Sequence, residues 1–296
     1  MNNLHYGILY RRRPRQYRLR PDILQDPTYS DEEIRQRFRF SRRGIRFIHD
    51  LVEVDLTRET QRNHALSAMT QVQSSLRFFA SNSVYIVNGD VIGVDKSSVS
   101  RVNKAFCRSI VRRGRRFLKF PTTQAEKDEV KKGFYELGGM PSTIGCIDGT
   151  HIKIIAPKDN EVDFVNRKGT HSINVQAITD HRYLFLDVDA RWPGSAHDSF
   201  IFRMSAVKAH LDATHRNVQD GIINSDSGYA FSEYLILPCA APQTRQEWHF
   251  NRALKTTQSF DERSFGLFKR RFPVFQGVIR CCPETASLFI AAGVTA

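Results

Sequence analysis

Gly145-Cys146-Ile147-Asp148-Gly149-Thr150-His151 and Ile222-Ile223-Asn224-Ser225-Asp226-Ser227-Gly228-Tyr229 are the stretches that decide the fold. In each, a short apolar run rich in β-branched residues delivers an aspartate, and a glycine follows so that a ligand can approach. A strand closing in an Asx-turn leaves the same trace, and that turn also explains each aspartate taken alone. Working outward, 143–147 and 151–156 read as neighbouring strands, with further strands at 174–179, 183–188 and 221–224. Helices are predicted at 198–212 and 256–272. Strands first, then strands alternating with helices, predict an α/β domain with a mixed sheet.

Charge divides the 296-residue chain. Residues 1–120 carry 24 Lys and Arg against 11 Asp and Glu, whereas 121–296 carry 20 against 20. The whole net charge of +13 therefore sits in the first part, which points to a polyanion, most simply DNA. No run approaches the ~18 apolar residues of a membrane span, and the N-terminus lacks the apolar core of a secretory signal. Five cysteines without a C-x-x-C pair argue against both a disulfide scaffold and a zinc ribbon. A reducing compartment, nucleus or cytoplasm, is the expected location.

The basic part is predicted to be helical. Residues 1–60 form a basic helical region with an Arg-dense segment at 8–20 and a helix over 29–60. Residues 61–120 read as helix, short helix, long helix, the layout of a DNA-binding helix-turn-helix. Asp95 is the expected N-cap of the third helix, whose buried stripe is Val99, Val102, Phe106 and Ile110. Its other faces present Lys96, Arg101 and Lys104 to DNA, and Arg112, Arg113, Arg115 and Arg116 follow as phosphate contacts. A plain three-helix bundle with a solvated basic face is the competing reading. Residues 121–141 are a connecting helix and linker ending at Gly138-Gly139-Met140-Pro141, and 142–296 form the second domain.

Two more carboxylates join the aspartates. Glu262 lies at the edge of the helical stripe Phe265, Phe268, Phe272, with Gly266 one turn on and Lys269, Arg270 and Arg271 behind it. Asp198 follows Ser195-Ala196-His197, close to a capping box, so capping competes with ligation there. Like charges gathered away from water repel strongly and call for a divalent cation. Hard oxygens select Mg²⁺ or Mn²⁺. Two such ions about 3.5–4 Å apart serve the attacking and leaving oxygens of a phosphodiester. Asp148, Asp226 and Glu262 are the expected catalytic ligands, and Asp198 a further metal ligand.

Gly-x-Ile-Asp-Gly-Thr-His at 145–151, Asn-Arg-Lys-Gly-x-His-Ser at 166–172 and Trp-Pro-Gly-Ser-x-His-Asp-Ser at 192–199 resemble motifs of the PIF/Harbinger transposase superfamily. So do Asp226-Ser-Gly-Tyr, Asn251-Arg-Ala and Glu262-Arg-Ser-Phe265-Gly-Leu-x-Lys. The nearest likeness is to its Harbinger transposase-derived nuclease group, and 35 residues separate Asp226 from Glu262, as in many DDE enzymes. The resemblance implies a ribonuclease H-like fold, metal-dependent DNA cleavage, and a partner protein with a Myb-like DNA-binding domain. It places Arg167, Lys168 and His171 near the DNA backbone, and nuclear as well as cytoplasmic residence follows from it. In relatives the last segment continues as a longer helix after the equivalent of Cys281-Cys282-Pro283-Glu284, whereas this sequence stops at Ala296. The expected activity is therefore a transposase-derived DNA endonuclease, with homo-oligomerisation open. The alternatives are a DNA-binding adaptor without catalysis, a transposase performing strand transfer, and, less favoured for want of an aromatic single-strand platform, a ribonuclease.

Overall fold

Ser30, Ser41, Ser67 and Asp95 each precede an apolar-periodic run, and each caps a helix by accepting from backbone N–H groups in its first turn. The computed structural model describes residues 22–60 and 65–296, so the Arg-dense segment at 8–20 lies outside the described residues. The helix expected over 29–60 is two, α1 (Asp31–Phe38) and α2 (Arg42–Leu56). Arg39 breaks it, adopting the left-handed conformation at φ 64°. α3 (Ala68–Ser81), α4 (Tyr85–Ile92) and α5 (Lys96–Arg113) follow in the order read from the sequence. Asp95 accepts from the N–H groups of Ser97 and Ser98 at 2.8 and 3.0 Å. Val99, Val102, Phe106 and Ile110 are buried as expected, and Asn103, Cys107 and Ser109 join them. α5 is thus enclosed by α2, α3, α4 and the C-terminal helix α10 (Pro283–Thr295), and keeps a narrow exposed stripe.

α6 (Gln124–Gly138) is the connecting helix, closed by a Thr123–Glu126 capping box and by Gly139 at φ 71°. The strand after it differs from expectation. β1 runs unbroken from Thr143 to Lys153, where two strands with a turn at Asp148 were predicted. Asp148, Gly149 and Thr150 stay in the ladder, opposite Ala177, Gln176 and Val175 of β2 (Ser172–Thr179). Tertiary pairing overrides the Asp-Gly turn signal. β3 (Phe185–Pro193) starts after a turn at Tyr183, φ 65°, and extends past the segment expected at 183–188. The helix predicted over 198–212 divides into α7 (Asp198–Arg203) and α8 (Ala206–Thr214), the second capped by Ser205.

β4 (Ile222–Asn224) and the unexpected β5 (Leu235–Ile236) complete a sheet of order β3-β2-β1-β4-β5 among the described residues. β1–β2 and β2–β3 are antiparallel, and β1–β4 and β4–β5 are parallel, so the sheet is mixed. α9 (Arg245–Arg271) begins eleven residues before the predicted 256, because Thr244 and Glu247 form a capping box there. α6 and α9 cover the side of β1 that carries Cys146, where Val130, Phe134 and Phe260 form a small core. α7 and α8 cover the other side through Ile147, Phe202, Val207 and Leu211. No helix among the described residues is long and apolar enough to cross a membrane.

One apolar cluster joins α1, α2, α3 and α5 to the far end of β1, the end of α9 and α10. Phe79 is its hub, with the rings of Phe106, Phe272, Phe275 and Phe289 at 6.5, 5.7, 5.7 and 6.1 Å. Phe79→Ala is expected to cost about 3–5 kcal/mol and to shift the unfolding of both regions together. Urea denaturation followed by far-ultraviolet dichroism and by tryptophan emission checks this, since both tryptophans lie beyond residue 190. A shift in the first probe alone would contradict the shared core.

Candidate active site

Side chains alternate along β1, so Asp148 shares the α9 side with Cys146, while Gly149 faces α7. Burial pushes Asp148 up to about 7, partly offset by a hydrogen bond from the Gly149 N–H; Asp226, Asp198 and Glu262 raise it further as like charges. These are the four carboxylates singled out in the sequence, and the fold brings the other three within electrostatic reach of Asp148. Asp226 stands two residues beyond β4, its Oδ1 accepting from Gly228 N–H at 2.9 Å. Glu262 is exposed on α9. One turn before it, the Gln258 amide donates to the carbonyl of Ser225, which fastens α9 to the residue preceding Asp226.

Asp198 is placed differently from the capping box expected of it. The N-cap of α7 is His197, without a side-chain cap, and Asp198 is the first helical residue. Its Oδ1 instead accepts from Asn174 Nδ2 at 2.8 Å. Gln176 Nε2 donates to the Asp198 carbonyl at 2.9 Å and to the Tyr229 hydroxyl at 3.0 Å. Asn174 and Gln176 lie on β2 opposite His151 and Gly149, so the polar face of β2 grips the start of α7. Gly149 makes room for it: a Cβ there would meet Asp198 Oδ1 at 2.5 Å.

Several groups in this layer have contacts to which the sequence reading gave no role. Asp261, beside Glu262, is buried and accepts from the Thr179 hydroxyl, and burial holds its carboxyl well above the usual range. Burial raises the Tyr229 phenol as well, with Asp198, Asp148 and Asp226 adding to it. Lys269 crosses from α9 to β1, donating to Thr150 Oγ1 at 2.7 Å. The period-two polar pattern Ser172, Asn174, Gln176 in an apolar strand was the available signal. Beside Asp198 opens a cleft of about 210 Å³ lined by His151, Asn166, Arg167, Asn174, Ser195 and His197. Burial lowers the His151 pKa, and Arg167, Lys269 and Lys168 lower it further against the pull of Asp198. Asn166 folds its loop tightly, accepting from the N–H groups of Lys168 and Thr170 at 2.9 and 3.2 Å, and leaves Arg167 and Lys168 exposed.

The other basic positions are dispersed. Lys96, Arg101 and Arg116 are exposed and Lys104 is half-buried. Arg112 and Arg113 both pair with Asp55 of α2, Arg112 at 3.2 Å, which commits Arg113 to the helical core. The side chain of Arg115 lies outside the described residues. His171 pairs with Glu161 at 2.9 Å.

The donor set suits a hard divalent cation: four carboxylates, one of them charged only at a cost, and a glycine that admits a fourth oxygen. No three of them bring oxygens within 4.8 Å of one another, whereas His49, Asp50 and Glu53 on α2 do. That group belongs to a solvated helix face, where neighbouring acidic and His side chains need no ion.

The raised Asp148 pKa has a consequence for stability. The folded chain holds this proton more tightly than the unfolded one, so the contribution is complete below the ordinary value of 3.8 and is lost as pH rises through about 7. In chelator, wild type is expected to lose unfolding free energy between pH 5 and 8, and Asp148→Asn to lose less and to be the more stable at pH 8. Urea unfolding across that range checks this; equal slopes in the two proteins would contradict it.

The description "DDE superfamily endonuclease" matches residues 147–294, a span that includes all four carboxylates. The human protein named "Putative nuclease HARBI1" is 32% identical over 266 residues, 89% of this chain and 76% of that one. Its mouse counterpart is 33% identical over the same shares. Protein ALP1-like of Arabidopsis thaliana is 27% identical over 262 residues, 82% of this chain and 64% of its own length. No solved structure matches. The chain belongs to the DDE superfamily of endonucleases, in the Harbinger transposase-derived nuclease group.

Proposed function

We propose that this chain is a metal-dependent DNA endonuclease that hydrolyses phosphodiester bonds at Asp148, Asp226 and Glu262, with Asp198 as a further ligand. The observation that carries the reading is Asp148, a half-buried carboxylate in the central strand, its pKa raised by burial first and then by the like charges of Asp226, Asp198 and Glu262. A ribonuclease H-like fold is the matching architecture. The order β3-β2-β1-β4-β5 supports it, with one carboxylate on the central strand, one after the parallel neighbour and one on the covering helix.

Mg²⁺ or Mn²⁺, when bound by these carboxylates, neutralises charge on the attacking and leaving oxygens. The protein groups do the rest. Asn174 and Gln176 fix Asp198, and Gln258 ties α9, which carries Glu262, to Ser225 beside Asp226. Lys269 and the exposed Arg167 and Lys168 offset the negative charge of the arriving DNA backbone. The reading takes water as the nucleophile and includes α3–α5 as a helix-turn-helix presenting Lys96, Arg101, Lys104, Arg112 and Arg116 to DNA. A Myb-like partner protein, nuclear and cytoplasmic residence and self-association belong to the same reading.

Supercoiled and linear duplex DNA incubated with Mg²⁺ or Mn²⁺ provides the test. Wild type is expected to cut, chelator to abolish cutting, and Asp226→Asn to slow it about a hundredfold or more. Joined products with a marked terminal repeat would indicate strand transfer instead. DNA bound with steep salt dependence but never cut would favour the adaptor reading and overturn this one.

A further inference from the structure

The half of α9 that precedes the carboxylate site has an exposed face with an unusual composition. At 100° and 1.5 Å per residue, positions seven apart nearly superpose on a helix, about 10 Å along its axis. Glu262, Lys255 and Trp248 are so spaced and share one narrow face, with Lys269 on the same line seven residues beyond Glu262. Arg245 and Arg252 flank it. Arg245, Trp248, Arg252 and Lys255 are all exposed, Trp248 at 63%, while Leu254, Thr257 and Phe260 bury the opposite side. Among the described residues Trp248 makes no side-chain hydrogen bond and no ring contact, and the three cations form no ion pair. Trp192 contrasts with it, since its Nε1 donates to Asp189 at 3.1 Å and its ring packs on Phe200. Glu247, which precedes Trp248, is spent on the backbone N–H groups of Gln243 and Thr244.

We propose that this face of α9 is a binding surface for an unpaired stretch of DNA strand leading out of the active site, with Lys255 on its backbone and Trp248 stacked on a base. The inference rests on the nuclease reading above and names a feature of its substrate. A solvated tryptophan interleaved with unpaired cations is the composition of a single-strand stacking platform. Its line with Glu262 fixes the spacing. By the helix rise, Lys255 sits about 10 Å and Trp248 about 21 Å along the axis from Glu262, so an unpaired strand reaches both within a few nucleotides of the reacting phosphate. Bases inside a duplex offer no face to an indole, so the strand that reaches Trp248 must be frayed, tailed or single. The three cations beside Trp248 argue against an apolar protein partner and against a second copy of this basic chain.

The test is binding in chelator, where nothing is cut. Trp192→Phe leaves Trp248 as the only tryptophan reporter. The probes are oligodeoxythymidine, a blunt duplex, and the same duplex with a single-stranded tail. Trp248 emission is expected to be quenched by the oligomer and by the tailed duplex, and much less by the blunt one. Trp248→Ala in the otherwise unaltered chain is expected to weaken binding of tailed DNA roughly 5- to 150-fold, to leave blunt-duplex affinity unchanged, and to be rescued by Trp248→Tyr. Unmoved emission while anisotropy reports binding would overturn the proposal. So would an equal loss for tailed and blunt DNA, or quenching by polyglutamate and not by DNA. Cutting by wild type with a silent Trp248 would remove this inference alone; a responsive Trp248 without cutting would remove the nuclease reading alone.

Discussion

A carboxylate in the middle of a strand, partly withdrawn from water and within electrostatic reach of three others, is the constraint on which the rest of the molecule depends. Asp148 cannot relax into a turn, because its neighbours are locked into the ladder with β2. Nor can it escape like charge, because Asp198 is gripped by Asn174 and Gln176 and α9 is tied to Ser225 by Gln258. Holding this like charge together costs free energy in the absence of a counter-charge. A rigid frame must hold it, and the one apolar cluster that spans the helical region, the sheet end and α10 is that frame.

α9 links packing to chemistry. Its buried side, Leu254 through Phe268, is laid on the sheet, while its outward side carries Glu262 between two lysines and ends in an exposed tryptophan. The polar face of β2 does similar double duty: Ser172, Asn174 and Gln176 are buried in the sheet and spend their hydrogen bonds on the loop and helix that bring up Asp198. The two halves of the molecule therefore share the site's support, although their charge is so unequal.

Much of this was legible in the sequence. The strand-to-aspartate pattern found Asp148 and Asp226, the helical stripe found Glu262, and the capping residue Asp95 and the face of α5 were as read. The misreadings have local causes. Asp148-Gly149 carries a turn signature, and nothing local reveals that eight ladder pairs to β2 will hold it straight. Ser195 and Asp198 have capping-box spacing, but Asn174, distant in sequence, competes successfully for the carboxylate. Arg39 breaks a helix without a glycine to mark it, and the early part of α9 was missed although the Thr244–Glu247 box and the short stripe Phe250, Ala253, Leu254 were there to mark it. Asp261, Tyr229 and Lys269 gain meaning only from three-dimensional neighbours.

The central claim is that these four carboxylates form one divalent-cation site. Manganese titration by calorimetry at pH 7.5, without DNA, tests it most directly. The account predicts binding by wild type, loss of at least about tenfold in affinity for Asp148→Asn and for Asp226→Asn, and wild-type affinity for a variant lacking His49 and Asp50. Binding that survives both aspartate substitutions and disappears with the α2 group would place the cation elsewhere and contradict the account.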